Sequence, residues 1–82
     1  MNPYTDKNTT RTFSKDVDPM SLIWHTDQED RTVTVLEGKG WLFQRDNELP
    51  LALTKGDTIF ISKGEIHRVI KGSTDLKLKI EK

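Results

Sequence analysis

The chain has no cysteine among its 82 residues. That excludes disulfides, a thiolate nucleophile and any zinc site built on sulfur. It also has no excess of either charge, with 13 Lys and Arg against 13 Asp and Glu. A phosphate-backbone footprint needs clustered Lys and Arg, so no nucleic-acid partner is expected. Long apolar runs are missing too. Nothing approaches the roughly 18 consecutive apolar residues of a transmembrane helix, so no membrane partner is expected. No window carries sustained helical periodicity, and there is no phosphate loop, nucleophile elbow or zinc-finger spacing. Met1 to Thr10 is polar and lacks the apolar core of a secretory signal, which makes the cytoplasm the expected location.

What is there reads as β structure in a single domain. Residues 1–10 have no apolar period and are expected to form a flexible arm, with one domain over residues 11–82. Strands are predicted at Ser21–Thr26, Arg31–Leu36, Trp41–Arg45, Leu49–Leu53, Thr58–Ser62, Ile66–Ile70 and Asp75–Glu81. Glycine- and asparagine-containing turns separate many of them. In the last strand Leu76, Leu78 and Ile80 alternate with Lys77, Lys79 and Glu81, the pattern of one dry face and one wet face. Trp41 and Phe43 share one face of their strand while Leu42 and Gln44 share the other. Both faces are partly apolar, which favours a strand covered on both sides. So short a chain buries a thin core, and a homodimer is the expected support. Seven or so short strands imply an all-β sandwich or barrel.

The segment of greatest interest runs from Gly56 to His67. A strand lies between two glycine turns, and a histidine follows the second. The other histidine, His25, begins the sequence His25-Thr26-Asp27, four residues before Arg31. In a closed sheet both imidazoles can face one cavity.

These residues resemble the cupins, small β-barrels of the jelly-roll type. The second cupin motif is glycine, five residues, proline, any residue, glycine, two residues, histidine. It reads here as Gly56, five residues, Ser62, Lys63, Gly64, Glu65-Ile66 and His67, with serine in place of proline. The first motif is His-any-His, three or four residues, glutamate, six residues, glycine. It reads here as His25-Thr26-Asp27, three residues, Arg31, six residues and Gly38. The spacing holds throughout, while Asp27 takes the second histidine position and Arg31 the glutamate position. The resemblance implies a small cupin-type barrel. Cupins include dioxygenases, isomerases, epimerases, lyases, sensors and storage proteins, so it does not imply one activity.

Residues two apart on a strand share a face, so His25 and Asp27 can look inward together. With His67 they would form a two-histidine, one-carboxylate set for a divalent transition metal such as Zn, Fe, Ni or Mn. Arg31 opposes this. Two unit charges about 6 Å apart repel by roughly 3 kcal/mol at an effective dielectric near 20, and a dication doubles that. Without metal, an Asp27–Arg31 pair remains, and Arg31 with the two histidines favours an anionic metabolite. Arg31, Trp24 and Gln44 are the candidate ligand contacts. The expected function is binding of a small polar or anionic molecule, with metal at His25, Asp27 and His67. The alternatives are a metal-free isomerase- or epimerase-like enzyme, an anion sensor, and a non-catalytic dimeric structural module.

Overall fold

The structure is a computed structural model that describes residues 3–82. Among the described residues eight strands follow in order: β1 Thr5–Lys7, β2 Thr10–Phe13, β3 Arg31–Glu37, β4 Leu42–Arg45, β5 Leu51–Ala52, β6 Thr58–Ile61, β7 His67–Ile70 and β8 Leu76–Glu81. One 3₁₀ turn, Pro19–Ser21, is started by Asp18, whose side chain accepts from the Met20 N–H. Among the described residues no helix is long and apolar enough to cross a membrane.

The strands form two antiparallel sheets, a first of order β1-β2-β8-β3-β6 and a second of order β5-β4-β7. The sheets face each other across one core. Val33, Val35, Leu76 and Leu78 come from the first, Trp41 and Phe43 lie on or beside β4 of the second, and Phe13, Leu22, Leu53 and Ile61 complete it. The alternation in the last strand is realised, with Leu76 and Leu78 buried and Lys79 and Glu81 exposed.

The all-β expectation holds, but the sheets do not close into a barrel. The predicted strand Ser21–Thr26 contributes only the bridge His25↔His67 to any ladder. The 3₁₀ turn consumes its first residue, and Ile23 and Trp24 stay exposed. Pro50, which lacks an N–H, precedes a β5 of only two residues. Part of the segment expected as an arm carries strand pairing. Thr5–Lys7 pairs with Thr10–Phe13 about the left-handed Asn8, and β2 then pairs with β8. Met1 and Asn2 lie outside the described residues.

The two ends of the sandwich differ. At one end Trp41 is fully buried, and its indole N–H donates to the Thr74 carbonyl at 2.6 Å. Gly72 passes so close that a Cβ there would lie 2.3 Å from the Lys39 carbonyl oxygen. The register puts Arg31 opposite Ile61 and Arg45 opposite His67 at the other end. Polar side chains gather there.

Candidate metal and ligand site

The two histidines are brought together by their backbones. His25 N–H donates to the His67 carbonyl and His67 N–H to the His25 carbonyl, each at 3.0 Å. A hydrogen-bonded antiparallel pair projects both side chains to the same face. The ring centroids are accordingly 4.3 Å apart, edge to face. His67 is buried beside Phe43, while His25 is exposed at the mouth. Asp27 lies two residues beyond His25. Its carbonyl accepts from Gly64 N–H at 2.9 Å, so the second glycine turn of the Gly56–His67 segment holds it in place.

The donor atoms of His25, Asp27 and His67 all lie within 4.8 Å of one another. Each imidazole presents its Nδ1 to a carbonyl, His25 to Ile23 at 2.9 Å and His67 to Glu65 at 2.8 Å. A carbonyl oxygen only accepts, so Nδ1 carries the hydrogen, and in the neutral ring Nε2 keeps its lone pair. The His67 Nε2 stands 3.4 Å from Asp27 Oδ2. Burial lowers the pKa of His67, an effect partly opposed by the Glu65 carbonyl and the Asp27 charge. A neutral Nε2 lone pair therefore faces a carboxylate oxygen, an arrangement that a cation between them would stabilise.

Asp27 divides its oxygens. Oδ2 faces His67, and Oδ1 lies 3.8 Å from Arg31 Nη1, too far for a hydrogen bond. Arg31 Nε is shielded from solvent and has no partner among the described residues. Arg31 thus stays beside the cluster without being neutralised by direct hydrogen bonding.

These side chains border a cavity of about 630 Å³ between the sheets, within the span of small-molecule pockets. Val33, Phe43, Ile59, Val69, Leu78 and Ile80 supply apolar wall. Arg11 also lines it, a residue the sequence reading missed; its shared parity with buried Phe13 was the available signal. Arg11 donates to both Asp6 oxygens, at 2.9 and 3.0 Å, and lies 3.7 Å over the Tyr4 ring. Those hydrogen bonds hold the Asp6 carboxyl below its ordinary pKa.

Of the sequence-predicted site residues, His25, Asp27, Arg31 and His67 meet at this cavity. Trp24 and Gln44 do not line it. Gln44 Oε1 accepts two hydrogen bonds from Arg68, at 3.0 and 2.8 Å, and Trp24 stacks on the same guanidinium at 4.5 Å. Gln44 has the parity of Leu42, opposite to Phe43, and so faces away from the core. Trp24 is displaced because its segment is not a full strand. No protein family, curated protein or solved structure matches this chain, so the site is read from its own geometry.

Proposed function

We propose that the chain is a cupin-like domain that binds a small molecule and holds a divalent transition metal ion through His25, Asp27 and His67. The observation that carries this reading is the 3.4 Å approach of His67 Nε2 to Asp27 Oδ2. Two ligands on one ion, each roughly 2.0–2.2 Å from it at tetrahedral or octahedral angles, stand about 3.0–3.5 Å apart. A proton could also fill the gap, but burial disfavours the charged imidazole. The carbonyl partners of both Nδ1 atoms are the outer hydrogen bonds that commonly fix a metal-bound histidine in its tautomer. The Gly56–His67 spacing and the His25–Gly38 spacing support the cupin likeness, although the sheets remain open.

Three protein ligands would leave positions for a small molecule, and the ion would polarise it as a Lewis acid. In this reading the histidines are ligands and not bases. The residues hold and orient: His67 from β7, His25 through its bridge to β7, and Asp27 through the Gly64 N–H.

Metal titration by calorimetry on chelator-treated protein tests the proposal. We expect about one equivalent of Zn, Mn, Fe or Ni. Asp27→Asn and His67→Gln should each weaken binding by on the order of a hundredfold or more, exceeding the usual loss from an outer-shell change. Binding well below one equivalent for every metal, or unchanged in both variants, would count decisively against it.

A further inference from the structure

We infer that the cavity takes a small monocarboxylate with a hydrocarbon body, its carboxylate held by Arg31. This deepens the small-molecule reading above and does not depend on the metal. Three observations meet in it. The first is charge. Arg11, Arg31 and Lys82 border the cavity together with Asp27 and Glu29, but Arg11 is bound by both oxygens of Asp6 and Lys82 lies 3.5 Å from Glu29, whereas Arg31 has a single ion pair at 3.8 Å. Arg31 makes no side-chain hydrogen bond among the described residues, and its Nε is shut off from water. Nε is as closed to a ligand as to water, so an incoming carboxylate meets the Nη donors, which also lack a hydrogen-bond partner among the described residues and gain from an acceptor.

The second is shape. A guanidinium is planar with donors in a fixed fork, which matches the two oxygens of a carboxylate. Asp27 lies on the Nη1 side at a distance that leaves the pairing incomplete. The third is the wall. Beyond Arg31 on the same strand face comes Val33, and Ile59, Leu78 and Phe43 continue the lining. Polar groups placed against those side chains would go unpaired, so the polar end of a ligand belongs at Arg31 and not along this wall. A hydrocarbon body gains from them.

The carboxylate also accounts for how Arg31 and a metal could share one site. A dication beside an arginine carries more positive charge than Asp27 alone offsets. An anion between them supplies what is missing, so metal and carboxylate should each strengthen the other's binding, as linkage requires.

The experiment is calorimetric titration of acetate, hexanoate and hexanamide into the full chain, once after chelator treatment and once with equimolar zinc. In parallel, the Arg31 Nε–H resonance is followed in ¹⁵N-labelled protein. Hexanoate should bind at least about tenfold tighter than acetate, from the added hydrocarbon. Hexanamide should bind about tenfold or more weaker than hexanoate, from the lost charge-assisted bonds. Hexanoate should shift the Arg31 signal. Arg31→Gln should reduce hexanoate binding to the level of hexanamide. Equal binding of hexanoate and hexanamide to the wild-type protein would overturn the inference without any variant needing to fold. So would the absence of hexanoate binding in both metal states. If zinc fails to bind while hexanoate binds through Arg31, the metal reading falls and this one stands; zinc binding without hexanoate gives the reverse.

Discussion

The contribution of His67 to folded stability has a pH dependence that can be worked out. His67 is buried, and burial lowers its pKa from the ordinary value of 6.5. Between the lowered folded value and 6.5 the unfolded chain binds more protons than the folded one, so folded stability falls as pH falls. Its contribution is whole above 6.5 and is lost progressively below it. We therefore expect the Tm to drop as the pH falls below about 6.5, and His67→Gln to flatten that part of the profile. Identical slopes for the two proteins would show that His67 does not titrate with unfolding. At this scale the sequence was legible where spacing alone decides. His25, Asp27 and His67 lie at intervals that the turns convert into proximity. Trp24 was not legible, because its orientation depends on a strand that reduces to one bridge. The fate of Arg31 was open for a different reason. Asp27 can face histidine or arginine from the same position, and only the distances, 3.4 Å to His67 and 3.8 Å to Arg31, show that it turns one oxygen to each.

Elements convert those spacings into a site. The turn Ser62–Glu65 is fastened to the segment carrying Asp27 by Gly64 N–H to the Asp27 carbonyl and by Lys63 N–H to Asp30 Oδ1, at 2.9 and 2.8 Å. Gly64 has φ +80 with nothing within 4 Å of a would-be Cβ, so its requirement is conformational. Gly72 is the opposite case. A Cβ there would meet Lys39 O at 2.3 Å and Trp41 N at 2.5 Å, so its requirement is space at the far end of the sandwich. The two replacements should separate. Gly64→Ala should cost about 1–2 kcal/mol through left-handed strain and should weaken metal binding by loosening Asp27. Gly72→Ala should cost about 1–3 kcal/mol through overpacking against backbone and leave metal affinity unchanged in the folded fraction. Denaturant unfolding and metal titration on both variants check this; a reversed pattern of metal affinity would break the link between the turn and Asp27. Five of the seven predicted strands form at close to their predicted extent, bounded by turn residues, while Leu49–Leu53, with Pro50 inside it, shrinks to Leu51–Ala52. The β1–β2 hairpin was hidden, since Thr5–Lys7 is wholly exposed and has no apolar period to announce it. Its pairing comes from a sheet edge that only the fold creates.

The whole molecule is nearly isotropic, 28 × 28 × 27 Å with a radius of gyration of 11.6 Å, close to the roughly 11.7 Å expected for a single compact domain of this length. Closure is incomplete, and the outer face of the second sheet shows the consequence. Leu42 and Ile70 are directly paired on β4 and β7, opposite in parity to buried Phe43, and both stay partly exposed outside the core. Uncovered apolar area of this kind on a small domain without disulfides favours association. The occupant we propose is a second copy of the chain. A formal net charge of zero puts no net repulsion between two identical surfaces, and a two-fold interface would set Leu42 and Ile70 against their own counterparts. Light scattering should give twice the 9.5 kDa chain mass at micromolar concentration. Leu42→Glu and Ile70→Glu, placed on a face outside the core, should each yield a folded monomer that still binds metal. A wild-type monomer at that concentration removes the dimer, whereas dimers persisting in both variants would move the interface to another face.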